Sequence, residues 1–414
     1  MNILHLTGGT LDSGAGKGAL GLHLALLKQG VDSHLLCNGV LDQAYQQADT
    51  TQQTDWDKVK YFLQLKLDGW MKLPYRHQRD RVFDTNFFGG NILKTHQYQA
   101  ADIIHLHRIN HSFLKISQLA KIDKPIVWTL RDMWPMTGGC HYALDCERFK
   151  SGCGSCPVLN SQRQQDLSRL VFRLKKKHFP HHIQLVGISS WISQQARASK
   201  LFNSFSVKTI ANNVSTDLFQ PISKPTARQI LGLDDTGKKI ILVGAQYLQN
   251  PYKGFEHFLK SLQFLEQDQY LLLFFGRLSD PRPLQQSGFE FRSLGFLHDA
   301  ASLRLAYSSA DVFAAPSIME AFGKTLAEAM SCQTPVVCFD AAGPKDIVDH
   351  KQNGYKAEAF DSKDLAAGVD WVVRQTAKSR ALNKAARDKV VRCFDDQVVA
   401  QKYQKLYQQL LTRK

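Results

Sequence analysis

The sequence predicts an α/β protein made of two doubly wound parallel-sheet domains, and three observations carry that expectation. Short apolar runs alternate with amphipathic stretches along most of the chain, the rhythm of buried parallel strands joined by crossover helices. The runs fall into two series separated by a polar, proline-containing stretch, Gln220-Pro-Ile-Ser-Lys-Pro-Thr-Ala, the best candidate for a linker. A length of 414 residues suits two cores of ordinary domain size.

The first series comprises Asn2 to Leu6, Ser33 to Leu36, Asp102 to Leu106, Pro125 to Thr129 and Gln184 to Ile188. The second begins at Lys239-Ile-Ile-Leu-Val-Gly and continues through Leu271-Leu-Leu-Phe-Phe-Gly, Asp311-Val-Phe-Ala-Ala-Pro and Pro335-Val-Val-Cys-Phe-Asp. The domains are therefore expected at 1–216 and 217–394. From Asp395 to Leu411, apolar residues at Val398, Val399, Tyr403, Leu406, Leu410 and Leu411 form a helical stripe, so 395–414 is expected to pack back on the first domain. Two such domains facing each other place their strand C-termini at one cleft, where ligands of open α/β sheets bind.

The formal net charge is +15, from 52 Lys and Arg against 37 Asp and Glu, and residues 1–216 carry +11 of it. An uneven basic surface points to an anionic partner: a phosphate-bearing substrate, a membrane surface or nucleic acid. No apolar run approaches the roughly 20 residues of a membrane span, and the chain opens directly on a strand-like segment, so a cytoplasmic protein, soluble or peripheral, is expected. Eight cysteines in such a compartment stay reduced.

Gly8-Gly9-Thr-Leu-Asp-Ser-Gly14-Ala-Gly16-Lys17-Gly18 follows the first strand and opens a helix, a context that attracts anions. A P-loop fails because Leu11 replaces its first glycine and Gly18 its Ser/Thr. A dinucleotide fingerprint fits formally as Gly14-x-Gly16-x-x-Ala19, but the next strand ends at Cys37-Asn38 without the acid that holds a ribose. Close packing and contact with a ligand through Gly16 both remain open for this loop.

The stretch Pro316-Ser-Ile-Met-Glu320-Ala-Phe322-Gly323-Lys324-Thr325-Leu326-Ala-Glu328 reads as a strand end, a loop and a helix beginning near Lys324. Free N–H groups near Phe322, Gly323, Lys324, Thr325 and Leu326 can hold a phosphate. Glu320 in the crevice and Glu328 one turn into the helix can each accept from two neighbouring hydroxyls, the chemistry of a sugar diol and a ribose. In the first domain, Asp102-Ile-Ile-His105-Leu-His107 places two histidines on one strand face. His107, at the strand end, is expected to serve a site, and His105 to pack.

These residues carry a resemblance beyond spacing. Glu320-x7-Glu328, Ala310-Asp311-Val, Gly343-Pro-Lys-Asp346-Ile-Val, Asn353-Gly354-Tyr, Val243-Gly244 with Tyr252-Lys253-Gly254-Phe255, Leu294-Gly295-Phe296, Ser190-Trp191 and Asn212-Asn-Val resemble, in order and spacing, the retaining glycosyltransferases of family 4. Trp134-Pro-Met-Thr-Gly-Gly-Cys140-His-Tyr and Gly152-Cys-Gly-Ser-Cys156-Pro resemble a cysteine-bearing subgroup of bacterial exopolysaccharide glycosyltransferases.

The resemblance implies a GT-B fold, two Rossmann-like domains facing across a cleft, with an acceptor-binding N-terminal domain and a nucleotide-sugar-binding C-terminal one. It implies retaining transfer of a hexose from a nucleotide-diphospho-sugar to a glycan or lipid-linked acceptor. Lys253 matches the family's diphosphate lysine, Glu320 the acid on the donor sugar and His107 the cleft histidine. Two positions depart from the pattern. Ala245 stands where the family places an arginine, a role Arg277 is expected to help fill, and Arg131 precedes Asp132 where related chains show His-Asp; both are acceptor-side candidates. No Asp-x-Asp motif appears in a convincing place, so no cofactor is expected to be required for catalysis.

Cys140-x5-Cys146-x6-Cys153-x2-Cys156 ends in zinc-knuckle spacing, and a structural zinc is expected there over labile thiols. Basic residues with interleaved apolar ones at Lys58 to Arg81 and Arg163 to His182 make an anionic membrane surface an expected partner. Two rivals have different chemistry: a nucleotide-sugar-binding protein without catalysis, and a basic nucleic-acid-binding protein. The second is disfavoured, with no nucleic acid expected as partner, because Glu320 and Glu328 would repel a polyanion.

Overall fold

Strands β1 (Asn2–Thr7), β2 (Asp32–Cys37), β3 (Asp49–Thr50), β4 (Ile103–Leu106), β5 (Ile126–Leu130), β6 (Gln184–Gly187) and β7 (Val207–Thr209) form one sheet in the order β3-β2-β1-β4-β5-β6-β7. All its pairings are parallel, and His5 on β1 stands between Leu35 on β2 and His105 on β4. Strands β8 (Lys239–Tyr247), β9 (Tyr270–Arg277), β10 (Glu290–Ser293), β11 (Val312–Ala315), β12 (Val336–Phe339) and β13 (Gly354–Ala357) form a second parallel sheet, β10-β9-β8-β11-β12-β13. This computed structural model describes residues 1–39, 47–75, 81–233 and 237–412.

Both sheets are doubly wound, and each reverses strand order once, between β1 and β4 and between β8 and β11. At such a reversal the crossovers leave to opposite faces and open a crevice at the strand C-termini. The inner strands are buried along most of their length, Ile103–Leu106, Ile126–Leu130, Val312–Ala315 and Val336–Phe339 throughout, as parallel strands covered on both faces are.

The chain divides into one unit of residues 1–213 with 399–414 and another of 214–398. The division falls at Asn213 and Val214, ahead of the proline-containing stretch read as a linker. Part of that stretch is helix instead, Lys224–Ile230, with Ser223 accepting from the Thr226 N–H and Pro225 in the first turn. A first-turn proline has no intrahelical N–H to lose, so it starts a helix rather than breaking one.

From helix Asp396–Leu411, Val399, Tyr403, Leu406 and Tyr407 join Ile3, Ile103, Val127 and Val186 in the first unit's core. Among the described residues no helix is long and apolar enough to cross a membrane.

Two surface helices depart from simple amphipathic reading. Asp55–Trp70 buries only Asp68, whose carboxylate accepts from the Thr85 and Asn86 N–H groups at 3.2 and 3.0 Å. Its apolar residues Trp56, Val59, Phe62, Leu63, Leu67 and Trp70 are 36 to 79% exposed. Of this basic stretch, residues 76–80 lie outside the described residues. Helix Leu167–His178, read as basic residues interleaved with apolar ones, turns two of its cations inward, away from any membrane. Lys175 is fully buried and donates to the Trp134 and Thr137 carbonyls, and Arg169 donates to the Gly152 carbonyl.

Candidate active site

In the second unit the crevice between β8 and β11 gathers the loop after β8 and the loop after β11. Gly254 ends a short turn at Pro251–Lys253 with φ 64°, and a Cβ there would fall 1.9 Å from the Pro316 carbonyl oxygen. Glycine is therefore required for the loops to meet. The Ile318 and Met319 N–H groups donate to the Tyr252 carbonyl at 3.0 and 3.2 Å. This zipper brings Lys253 Nζ to 3.0 Å from Glu320 Oε2.

Lys253 and Thr325 line one cavity with Gly244, Ala245 and Ser317. Helix Lys324–Ser331 opens here on Gly323, φ 106°, and its first intrahelical bond runs from Leu326 N to Gly323 O. The N–H groups of Gly323, Lys324 and Thr325 precede that bond and form the anion-attracting end of the helix.

Glu328, one turn on, is 7% exposed, with Oε2 accepting from the Tyr307 hydroxyl at 3.0 Å and Oε1 3.9 Å from Lys324 Nζ. The Phe322 ring packs edge-on against Phe394, and Leu326 is fully buried, so both offer only backbone to a ligand. Arg277 donates to the Tyr247 hydroxyl at 2.8 Å, its guanidinium 5.2 Å from the Tyr247 and Phe296 ring centres. None of these contacts reaches Lys253 or Glu320.

In the first unit, the corresponding crevice lies between β1 and β4. The Gly16 N–H is already taken by Ser13 Oγ at 3.1 Å, a helix cap, which favours the packing reading of the glycine loop. Gly18 faces Arg131: a Cβ there would fall 2.2 Å from Nη1. The buried Arg131 guanidinium donates to His107 Nδ1, 3.2 Å from Nη2, and to Asn212 Oδ1.

Because His107 Nδ1 is an acceptor here, its proton sits on Nε2 and is donated to His5 Nδ1 at 2.8 Å. The His5 proton is then on Nε2, which has no hydrogen-bond partner among the described residues. Burial, reinforced by His105 and Arg131, holds the His107 pKa well below the ordinary imidazole value, and burial lowers that of Arg131 to about 10. The result is a neutral His107 beside a charged Arg131. His105 is spent on structure: Nδ1 bonds the Tyr407 hydroxyl at 2.6 Å and Nε2 bonds Thr129 Oγ1 at 2.7 Å.

Asp132 belongs to a second network. Its Oδ2 lies 2.8 Å from His141 Nδ1, while His141 Nε2 lies 3.0 Å from Asp84 Oδ2. The His141 pKa is raised, the two carboxylates outweighing the opposing burial, and the pKa values of Asp132 and Asp84 are lowered by His141 against burial. A doubly held imidazolium is thus fixed beside the β5 end. The four cysteines line a cavity of their own in the loop that follows.

The structure therefore brings together Lys253, Glu320 and the Gly323–Thr325 backbone in one unit, and His107 with Arg131 in the other. Sequence reasoning gave no site role to His5, Asp84, His141 or Asn212. His141 and Asn212 were within reach, since each stands in a motif already singled out.

The sequence profile of the family "Glycosyl transferases group 1" matches residues 223–389, covering the second sheet and the Lys253–Glu320 crevice. An uncharacterized glycosyltransferase of Methanocaldococcus jannaschii, MJ1607, is 31% identical over 325 residues, 72% of this chain and 80% of that one. The chain belongs to the group 1 glycosyl transferases. WcaC of Escherichia coli K12, a glycosyl transferase assigned by its name to colanic acid biosynthesis, is 23% identical over 84% of this chain and 85% of its own. The structure of Anabaena Alr3699/HepE in complex with UDP-glucose superposes with a TM-score of 0.65 at 16% identity, covering 100% of both chains. The group 1 transferase described here thus has the GT-B architecture.

Proposed function

We propose that the chain is a retaining, family 4 type glycosyltransferase moving a hexosyl group from a nucleotide-diphospho-sugar to a glycan or lipid-linked acceptor in polysaccharide assembly. The observation that carries this is the Lys253–Glu320 pair beside the open N–H groups of Gly323, Lys324 and Thr325, at the strand reversal where an α/β sheet binds ligands. In this reading Lys253 and the helix end stabilise the charge that collects on the departing diphosphate. Glu320, released from Lys253 by the incoming phosphate, accepts from donor-sugar hydroxyls, and Glu328 reads the ribose.

The bond from the anomeric carbon to the phosphate oxygen breaks. The acceptor hydroxyl adds to the same face, and its proton passes to the departing phosphate oxygen. Positioning and charge stabilisation then supply the catalysis. His107, with both nitrogens engaged, acts through Arg131, which with Asp132 forms the acceptor side. Arg277 remains the proposed substitute for the arginine absent at Ala245.

Support for a nucleotide-sugar donor comes from the UDP-glucose complex of the structural neighbour, and for a polysaccharide product from the name of WcaC. Support for an anionic membrane as the acceptor surface comes from helix Asp55–Trp70, where the exposed stripe Trp56, Val59, Leu63, Leu67 and Trp70 is flanked by Lys58, Lys60 and Lys66. Such a helix gains by burying its apolar face at a charged interface.

Thermal shift against UDP-, GDP- and ADP-sugars tests the donor site. One nucleotide class should raise the unfolding temperature, and Lys253→Ala should abolish the rise. No rise with any donor contradicts the assignment. A rise without any turnover supports the rival reading, donor binding without transfer, which Ala245 favours.

A further inference from the structure

We propose that Cys140, Cys146, Cys153 and Cys156 form a tetrathiolate site for a structural zinc ion, one that fixes the loop between β5 and helix Leu167–His178. The four thiols come from a 17-residue span of sequence and line one small pocket together with Phe83, Phe149 and Gly138. No other residue lining that space is a His, Asp or Glu, so its metal-binding chemistry is purely sulfur. Four thiolates at about 2.3 Å complete a tetrahedral zinc shell and leave no open position, which makes the ion structural.

The backbone is arranged for sulfur ligation. Cys153, Gly154 and Ser155 are all left-handed, at φ 57°, 107° and 44°, so the Cys-x2-Cys turn curls tightly around its two sulfurs. The Gly138 N–H donates to Cys153 Sγ at 3.1 Å. A backbone donor on a ligand sulfur is the kind of outer contact that orients it toward a metal.

The charges around the loop point the same way. Lys175 is fully buried, with its Nζ on two carbonyls and 3.4 Å from the Trp134 ring centre, and it forms no ion pair with a carboxylate among the described residues. Arg169 Nη1 bonds the Gly152 and Cys153 carbonyls, and Arg148 Nη1 bonds the Ser155 carbonyl. A neutral four-thiol loop gives these cations little reason to gather, whereas a zinc tetrathiolate, with net charge −2, supplies the missing counter-charge. Asp166 is already committed to the N–H groups of Cys156 and Arg169.

Among the described residues, no three of the sulfurs stand within 4.8 Å of one another. Binding therefore draws them inward by side-chain rotation. The consequence reaches the acceptor side, because Cys140 is followed directly by His141, the imidazole held between Asp84 and Asp132.

The experiment is elemental analysis of the full chain purified without chelator, followed by exchange with cobalt(II). About one zinc per chain and thiolate-to-cobalt charge-transfer absorption are expected. Cys146→Ser and Cys156→Ser should each lose the metal, and Cys393→Ser should keep it. If the variants fail to fold, the metal content and cobalt spectrum of the unmodified chain decide alone. Zinc below about a tenth of an equivalent with all eight thiols titratable, iron in place of zinc, or full zinc retention in Cys146→Ser would each overturn the proposal.

Discussion

Lowering the pH from 7 to 5 should destabilise the first unit, and the histidines show why. Burial holds the pKa values of His5, His105 and His107 well below the usual 6.5 and those of His23 and His111 at about 4. With folded values lowered, the unfolded chain binds more protons throughout this window, so stability falls as the pH drops. Each histidine that charges only on unfolding costs about 2 kcal/mol between pH 7 and 5. His23 and His111, with folded values at about 4, together contribute about 4 kcal/mol, and the three more deeply buried histidines act in the same direction.

His141 opposes this trend. Its raised pKa gives a contribution that is complete below its unfolded value and fades as the pH rises through the folded one, so acidification restores part of it. Asp84 and Asp132, with lowered pKa values, keep their contribution until the pH falls below the usual carboxylate range. Urea unfolding read by tryptophan fluorescence is selective, since Trp56, Trp70, Trp128, Trp134 and Trp191 lie in the first unit and only Trp371 in the second. The midpoint should fall steeply from pH 7 to 5. A flat or rising midpoint would refute the neutral, buried histidine row.

Three further outcomes follow from single contacts. Glu328→Gln should weaken nucleotide-sugar binding about tenfold with little loss of stability, because the amide oxygen still accepts from Tyr307; unchanged binding by calorimetry would remove Glu328 from the donor site. Gly18→Ala should displace the Arg131 guanidinium from His107 and Asn212 and lower stability by about 1–3 kcal/mol, measured by urea unfolding at pH 7; a neutral result would show that the side chain yields freely. The unmodified chain should float with anionic vesicles at low salt and Trp56→Ser/Leu63→Ser should not, whereas equal flotation would acquit helix Asp55–Trp70.

The two-sheet α/β fold was legible because parallel strands buried on both faces write themselves as plain apolar runs. Side-chain direction was less so. Alternation put His105 and His107 on one face, where their rings stack at 4.2 Å, but the partners of His107 come from other strands. His5 and Arg131 reach it only because β1 and β5 flank β4, an order no local pattern encodes. Lys175 read as a surface charge since nothing in its neighbours announces the two carbonyls it reaches. Nor does any local pattern show that Asp68 anchors its helix and leaves the apolar stripe outside.

The most direct test of the proposed chemistry is the configuration of the product. The nucleotide-sugar that stabilises the chain would be supplied with a lipid-linked or oligosaccharide acceptor, and the new glycosidic bond examined by proton NMR before any anomeric exchange. The donor's α or β configuration should be kept, and Glu320→Gln and Lys253→Ala, which break the 3.0 Å pair, should lower turnover by at least about a hundredfold. An inverted product, or full turnover in both variants, would contradict the proposed chemistry.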